Sequence, residues 1–199
     1  FRAAYRPAYR VIAKRYADYL RLFTRIDKLL ARGDAVVAIE GGSASGKSTL
    51  AGILQEVYDC NLLHMDDFFL RPEQRTPERL ATVGGNLDRE RLADEVLLPL
   101  SEGRAANLRP YDCKTQKISE PKVILPTDVL IVEGSYSHHP ELRKFYDLTV
   151  FLDTPPTVQW ERIRRRESPD SAQRFKNQWI PLENEYFSKM HIRAGADVI

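Results

Sequence analysis

The chain has 199 residues, 43% of them hydrophobic and 29% charged, with 30 basic against 28 acidic side chains and a net charge of +2. That length suits one α/β domain that buries its own core without disulfides. The near-balance of charge excludes a global field for nucleic acid, so any anion site must be local.

From the amino end, residues 7–32 repeat apolar side chains at three- and four-residue spacing (Val11, Ile12, Tyr16, Tyr19, Leu20, Phe23, Ile26, Leu29, Leu30) and predict one amphipathic helix that Gly33 stops. Residues 35–39 are a short apolar run rich in β-branched residues, the pattern of a strand covered on both faces in a parallel sheet. A glycine-rich turn, a helix over 49–58 and a second strand over 61–64 follow. Residues 71–86, with Pro72, Pro77 and Gly84-Gly85, predict an irregular connection. A helix is expected over 87–100, a hairpin-like excursion over 103–126, strands over 129–132 and 148–152, a basic helix over 157–166, a mobile connector over 167–175 and a last helix over 179–190. Strands alternating with helices predict a doubly wound parallel sheet. The expected division is a helical extension at 1–33 and a nucleotide-binding domain at 34–199.

The turn reads Gly41-Gly42-Ser43-Ala44-Ser45-Gly46-Lys47-Ser48, which fits GxxxxGK[ST] between a predicted strand and a predicted helix. Glycines allow backbone turns that aim several N–H groups at one phosphate chain, and the helix behind adds its positive end. Lys47 would reach the outer phosphates, Ser48 would take Mg²⁺, and Thr49 continues the nucleotide contact. ATP (or GTP) with Mg²⁺ is therefore the expected cofactor set.

Acidic residues should separate a kinase from a switch. Asp66 and Asp67 lie just past the second strand, at the sheet edge where ligands bind in open α/β folds. A carboxylate there can take the proton of an attacking hydroxyl, although an Asp pair can equally cap a helix. Glu133 ends the third predicted strand and either holds Mg²⁺ or is an ordinary strand-end acid. Asp153, ahead of Pro155-Pro156, reads as a turn former. Arg162 and Arg166, four apart, share a helix face that can clamp phosphates or merely face solvent. His64, His138, His139 and His191 show no metal-ligand spacing. Cys60 and Cys113, without CxxC spacing, read as reduced thiols, and the basic, interrupted amino end holds no secretory signal. No apolar run approaches the ~20 residues that cross a bilayer. The expectation is a cytoplasmic protein with a small-molecule substrate and neither nucleic acid nor membrane as partner. A homo-oligomer is compatible with it, and the opening Phe1 predicts a native start upstream.

GGSASGKSTLA, HMDDFFL, GGNLDRERL, RPYDC and VLIVEGSY, followed by the Arg-rich helix and a terminal ADVI, resemble the uridine kinase family, with nicotinamide riboside kinase, phosphoribulokinase and bacterial pantothenate kinase as relatives. The likeness runs from about residue 35 onward. It implies that Asp66 is the catalytic base, that Asp88 holds ribose hydroxyls and that Tyr111 lies near the nucleobase. It further implies that Asp67 and Arg174 contact substrate, that Glu133 is associated with magnesium, and that Arg162 and Arg166 belong to a lid at about 162–178. Asp67 stands where uridine kinases usually carry Ser, and the lid holds Ser168-Pro169 rather than an RGR run. The implied activity is phosphorylation of a riboside's primary hydroxyl, uridine or cytidine first. Nicotinamide riboside, pantothenate or another small alcohol is the alternative within the enzyme class. A nucleotide-dependent regulatory module, docking partners through its first helix, is the alternative outside it.

Overall fold

The computed structural model describes residues 13–199, so the start of the expected first helix, residues 7–12, lies outside the described residues. The remainder forms two helices rather than one. α1 (Lys14–Ala17) buries none of its side chains, whereas α2 (Leu20–Leu30) buries Leu22 and Ile26. Covering each of those two contributes on the order of 2 kcal/mol; α1 has no such anchor to hold it in line, and the chain bends at Asp18 and Tyr19.

β1 (Ala35–Gly41) leads through the glycine-rich turn into α3 (Lys47–Tyr58), and β2 (Asn61–His64) follows. Residues 71–86, expected to be irregular, contain a 3₁₀ turn at Pro72–Gln74 and α4 (Pro77–Ala81). Thr76 caps α4 by accepting the Arg79 N–H at 3.2 Å, and Pro77 supplies a preset φ at the first helical position. Asp88 then caps α5 (Arg89–Leu92), which passes through a π turn at Ala93–Leu97 into α6 (Leu98–Ser101). A second π turn, Phe175–Trp179, likewise runs into a proline, Pro181. Both wide turns sit where a missing proline N–H interrupts the regular ladder.

The expected excursion is a hairpin in two pieces: β3 (Ala106–Leu108) pairs with β6 (Lys122–Ile124), and β4 (Tyr111–Asp112) pairs with β5 (Lys117–Ile118), both antiparallel. β7 (Val129–Glu133), β8 (Leu148–Leu152) and α7 (Pro156–Arg166) stand close to their expected places. Residues 167–175 are not a loose connector. They form α8 (Pro169–Arg174), begun by Ser168, whose hydroxyl accepts the Ser171 N–H at 3.3 Å, before the second π turn and α9 (Ile180–Lys189). Ser-Pro reads as a turn signal and here acts as a helix start.

The main sheet is parallel with strand order β2-β7-β1-β8. Its strands are apolar on both faces, as the 35–39 run predicts. Val37, Ile39 and Ile131 pack with Leu22, Ile26, Leu50 and Leu54 on one side, while Ala38, Leu130 and Val132 pack with Phe68, Leu92, Leu97 and Tyr186 on the other. Helices on both faces of a parallel sheet make the fold doubly wound, as expected. All the carboxyl ends of these strands point to one edge, and the site is built there. No helix among the described residues is long and apolar enough to cross a membrane.

Candidate active site

The loop after β1 begins at Gly41, where an added Cβ would lie 2.7 Å from the Leu152 carbonyl oxygen, so only glycine lets β1 and β8 stay adjacent. It ends at Gly46, whose φ of 106° sets the left-handed turn into α3. Lys47 is 9% exposed and folds back along the loop, donating to the Gly41 and Gly42 carbonyls at 2.8 and 3.0 Å. Ser45 Oγ is buried without a hydrogen-bond partner among the described residues. A cationic amine held over a loop at a helix N-terminus, with an unpaired hydroxyl beside it, fits a phosphate chain.

Strand register brings the acids to this loop. Glu133 is level with Ile39 of β1 and His64 of β2. Its Oε1 lies 3.2 Å from Ser48 Oγ and 2.6 Å from His64 Nδ1. That hydrogen bond, with burial opposing it, raises the His64 pKa above its ordinary value. Ser48 and Glu133 together offer hard oxygen donors at the loop, the donor type Mg²⁺ selects. Asp66 stands two residues past β2 and opens into the same cleft; partial desolvation, and then the Glu133 charge, raise its pKa. Asp67 is raised by burial as well, but its carboxylate is not on the cleft wall, and its backbone carbonyl accepts from Arg91 at 2.7 Å.

One cleft of about 1370 Å³ joins most of the expected residues: Ser43 to Thr49, Asp66, Glu133, Arg162, Arg166 and Arg174. Arg162 donates to the Ala44 and Ser45 carbonyls at 3.1 and 3.2 Å, and Arg166 pairs with Glu167 at 2.8 Å. Arg174 ends α8 and lines the same cleft. Asp88 and Tyr111 are each 3% exposed and lie behind the wall. Asp88 accepts from Gln74 at 2.9 Å while capping α5, and the Tyr111 hydroxyl accepts from Arg75 at 3.4 Å. Arg75 itself lines the cleft.

Two buried acids escaped the sequence reading. Glu40, fully buried directly before the loop, accepts the Gly41 and His138 N–H groups at 2.9 and 3.2 Å, and burial pushes its pKa up to about 7. An acid inside an apolar run was the signal for it. Glu183 on α9 accepts the Ser43 N–H at 2.9 Å, the Ser43 hydroxyl at 2.7 Å and the Ser135 hydroxyl at 2.8 Å. No local pattern marks it, because its partners are distant in sequence. Replacing Glu183 by Ala should leave the Ser43 N–H unpaired at a cost of about 1–2 kcal/mol. In thermal unfolding without nucleotide, a fall in Tm of about 3–6 °C is expected. An unchanged Tm would show that the loop holds its shape without this brace.

Residues 36–177 match the model of the phosphoribulokinase/uridine kinase family. The chain belongs to that family. Among its relatives, uridine kinase-like protein 4 of Arabidopsis thaliana is 32% identical over 163 residues, 77% of this chain and 34% of that protein. The bifunctional alpha-galactosidase/sucrose kinase AgaSK of Mediterraneibacter gnavus is 30% identical over 200 residues, 88% of this chain and 21% of that protein. The chain thus spans about a third or less of the length of these relatives. A solved structure of a possible uridine kinase from Bacillus stearothermophilus superposes with a TM-score of 0.64 at 26% identity, covering 90% of this chain and 98% of that one. The matched residues take in the phosphate loop, Asp66, Glu133 and the arginines Arg162, Arg166 and Arg174.

Proposed function

We propose that the chain transfers the γ-phosphoryl group of ATP to the primary hydroxyl of a riboside, with uridine or cytidine the leading acceptors. The observation that carries this reading is the meeting, in one cleft, of the phosphate loop after β1 with Asp66 just past β2, across the intervening β7. Asp66 accepts the hydroxyl proton as the acceptor oxygen attacks phosphorus, and the bond to the bridging oxygen of ADP breaks. Lys47 and the loop N–H groups hold the phosphates, and Arg162, Arg166 and Arg174, in a lid spanning about 162–178, neutralise the charge in transit. Ser48 and Glu133 would hold Mg²⁺, which when bound supplies further charge neutralisation. Asp88 and Tyr111 serve the acceptor side by positioning Gln74 and Arg75. Asp67, whose carboxylate stands off the cleft wall, serves the acceptor side from behind Asp66 in this reading. The segment before residue 34 is an extension of the kinase domain.

A sugar acceptor is the second reading, favoured by the match to AgaSK over 88% of this chain. The test is ADP release from ATP-Mg with uridine, cytidine, nicotinamide riboside, pantothenate and sucrose supplied separately. Strong stimulation by uridine or cytidine supports the riboside reading, and stimulation by sucrose alone replaces it. A flat panel with nucleotide bound would favour a regulatory module.

A further inference from the structure

We propose that Tyr19, from the helical segment ahead of the family-matched region, forms the wall against which the base of the bound nucleotide packs. The inference rests on the nucleotide reading of the loop and adds to it a base subsite.

The direction of the nucleotide follows from the sheet order. Asp66 extends from β2 at one edge, the phosphate loop extends from β1, and β8 is the opposite edge. In an in-line transfer the attacking oxygen enters opposite the leaving oxygen. An acceptor at Asp66 therefore sends the rest of the nucleotide away from β2, toward the β8 side of the cleft.

Tyr19 stands at that end. α2 precedes β1 through a short turn and packs along it, so the two run antiparallel, and the amino end of α2 reaches the carboxyl edge of the sheet. Arg25 donates to the Asp197 carbonyl, and Val198 bridges Val150 of β8, which ties α2 over the β8 side. The bend at Asp18 and Tyr19 puts Tyr19 at the head of α2, half-buried against the apolar layer, and its remaining surface lines the same cleft as Thr49 on the first turn of α3. A fixed aromatic ring at the mouth of a phosphate site suits a planar heteroaromatic base. The family model begins to match at residue 36, so this wall comes from outside the matched region.

The experiment compares binding of ATP with binding of inorganic tripolyphosphate, which has the phosphates and no base. The unaltered chain should bind ATP the tighter of the two. Tyr19→Ala should weaken ATP about tenfold and leave tripolyphosphate unchanged, since base–aromatic stacking is lost and the phosphate contacts are not. Tyr19→Phe should bind ATP within about twofold of the unaltered chain, because the ring carries the contact. Unchanged ATP affinity in Tyr19→Ala overturns the proposal. So does parallel weakening of both ligands, which would make Tyr19 a support for the loop, and so does an equal loss in Tyr19→Phe. Lys47→Ala separates the two levels: if it leaves tripolyphosphate binding intact, the phosphate-loop reading fails and the base subsite falls with it.

Discussion

Asp66→Asn is expected to lower kcat by about 10²–10⁴-fold while leaving the Kd for ATP within about twofold. Asn has the shape of the carboxylate and can still accept hydrogen bonds, but it cannot take the acceptor's proton. Asp66 opens into the cleft and makes no side-chain ion pair among the described residues, so removing its charge orphans no cation. Its nearest electrostatic burden is Glu133, which raises its pKa, and a neutral side chain relieves that pressure. The loss should therefore appear in turnover and not in Tm. Steady-state ADP release with the acceptor found in the panel, alongside ATP binding by calorimetry, makes the measurement. A variant that turns over normally would remove Asp66 from the role of base, and attention would pass to Asp67.

Lys47→Ala should cost about 10²–10³-fold in kcat/KM and weaken ATP binding as well. Lys47 is almost completely covered, and its amine is held by the Gly41 and Gly42 carbonyls, with no carboxylate paired to it among the described residues. Glu40 and Asp66 act on this ammonium without pairing with it directly, and among the described residues the two carbonyl oxygens alone touch it. A phosphate oxygen arriving over the loop pairs with it directly, and more negative charge there strengthens the interaction as the transfer proceeds. An alanine leaves the two carbonyls without their donor and the phosphates without their cation. The contrast with Asp66→Asn is diagnostic: Lys47→Ala should fail in binding and in turnover, Asp66→Asn in turnover alone. Equal ATP affinity before and after loss of Lys47 would place the phosphates elsewhere.

The phosphate loop was legible in the sequence because its glycines and Lys47 do their work through local backbone geometry. The strand over 148–152 was legible for a similar reason, being a short and mostly apolar run flanked by turn residues. Residues 167–175 misled because Ser168-Pro169 starts a turn and a helix equally well, and the residues after the pair decide between them. The bend at Tyr19 was hidden because apolar spacing continues across it, while only α2 finds a face to cover. Asp88 and Tyr111 carry the family's pattern, yet their side chains serve α5 and Arg75 from behind the cleft wall. Glu183 was out of reach. Its role exists only once α9 lies across the loop at Ser43, and no residue near it in sequence announces that contact.

The strand order has a consequence for how the chain reaches this state. In the main sheet β1 pairs with β7 and β8, and β2 pairs with β7, so neither of the first two strands pairs with the other. Both leave the ribosome long before their partners exist; at usual elongation rates the wait for residues 129–133 is roughly 3–20 s. Throughout that interval the phosphate loop is attached to unpaired apolar strands, which gives the nascent chain a high contact order and an exposure to aggregation that the finished domain no longer has.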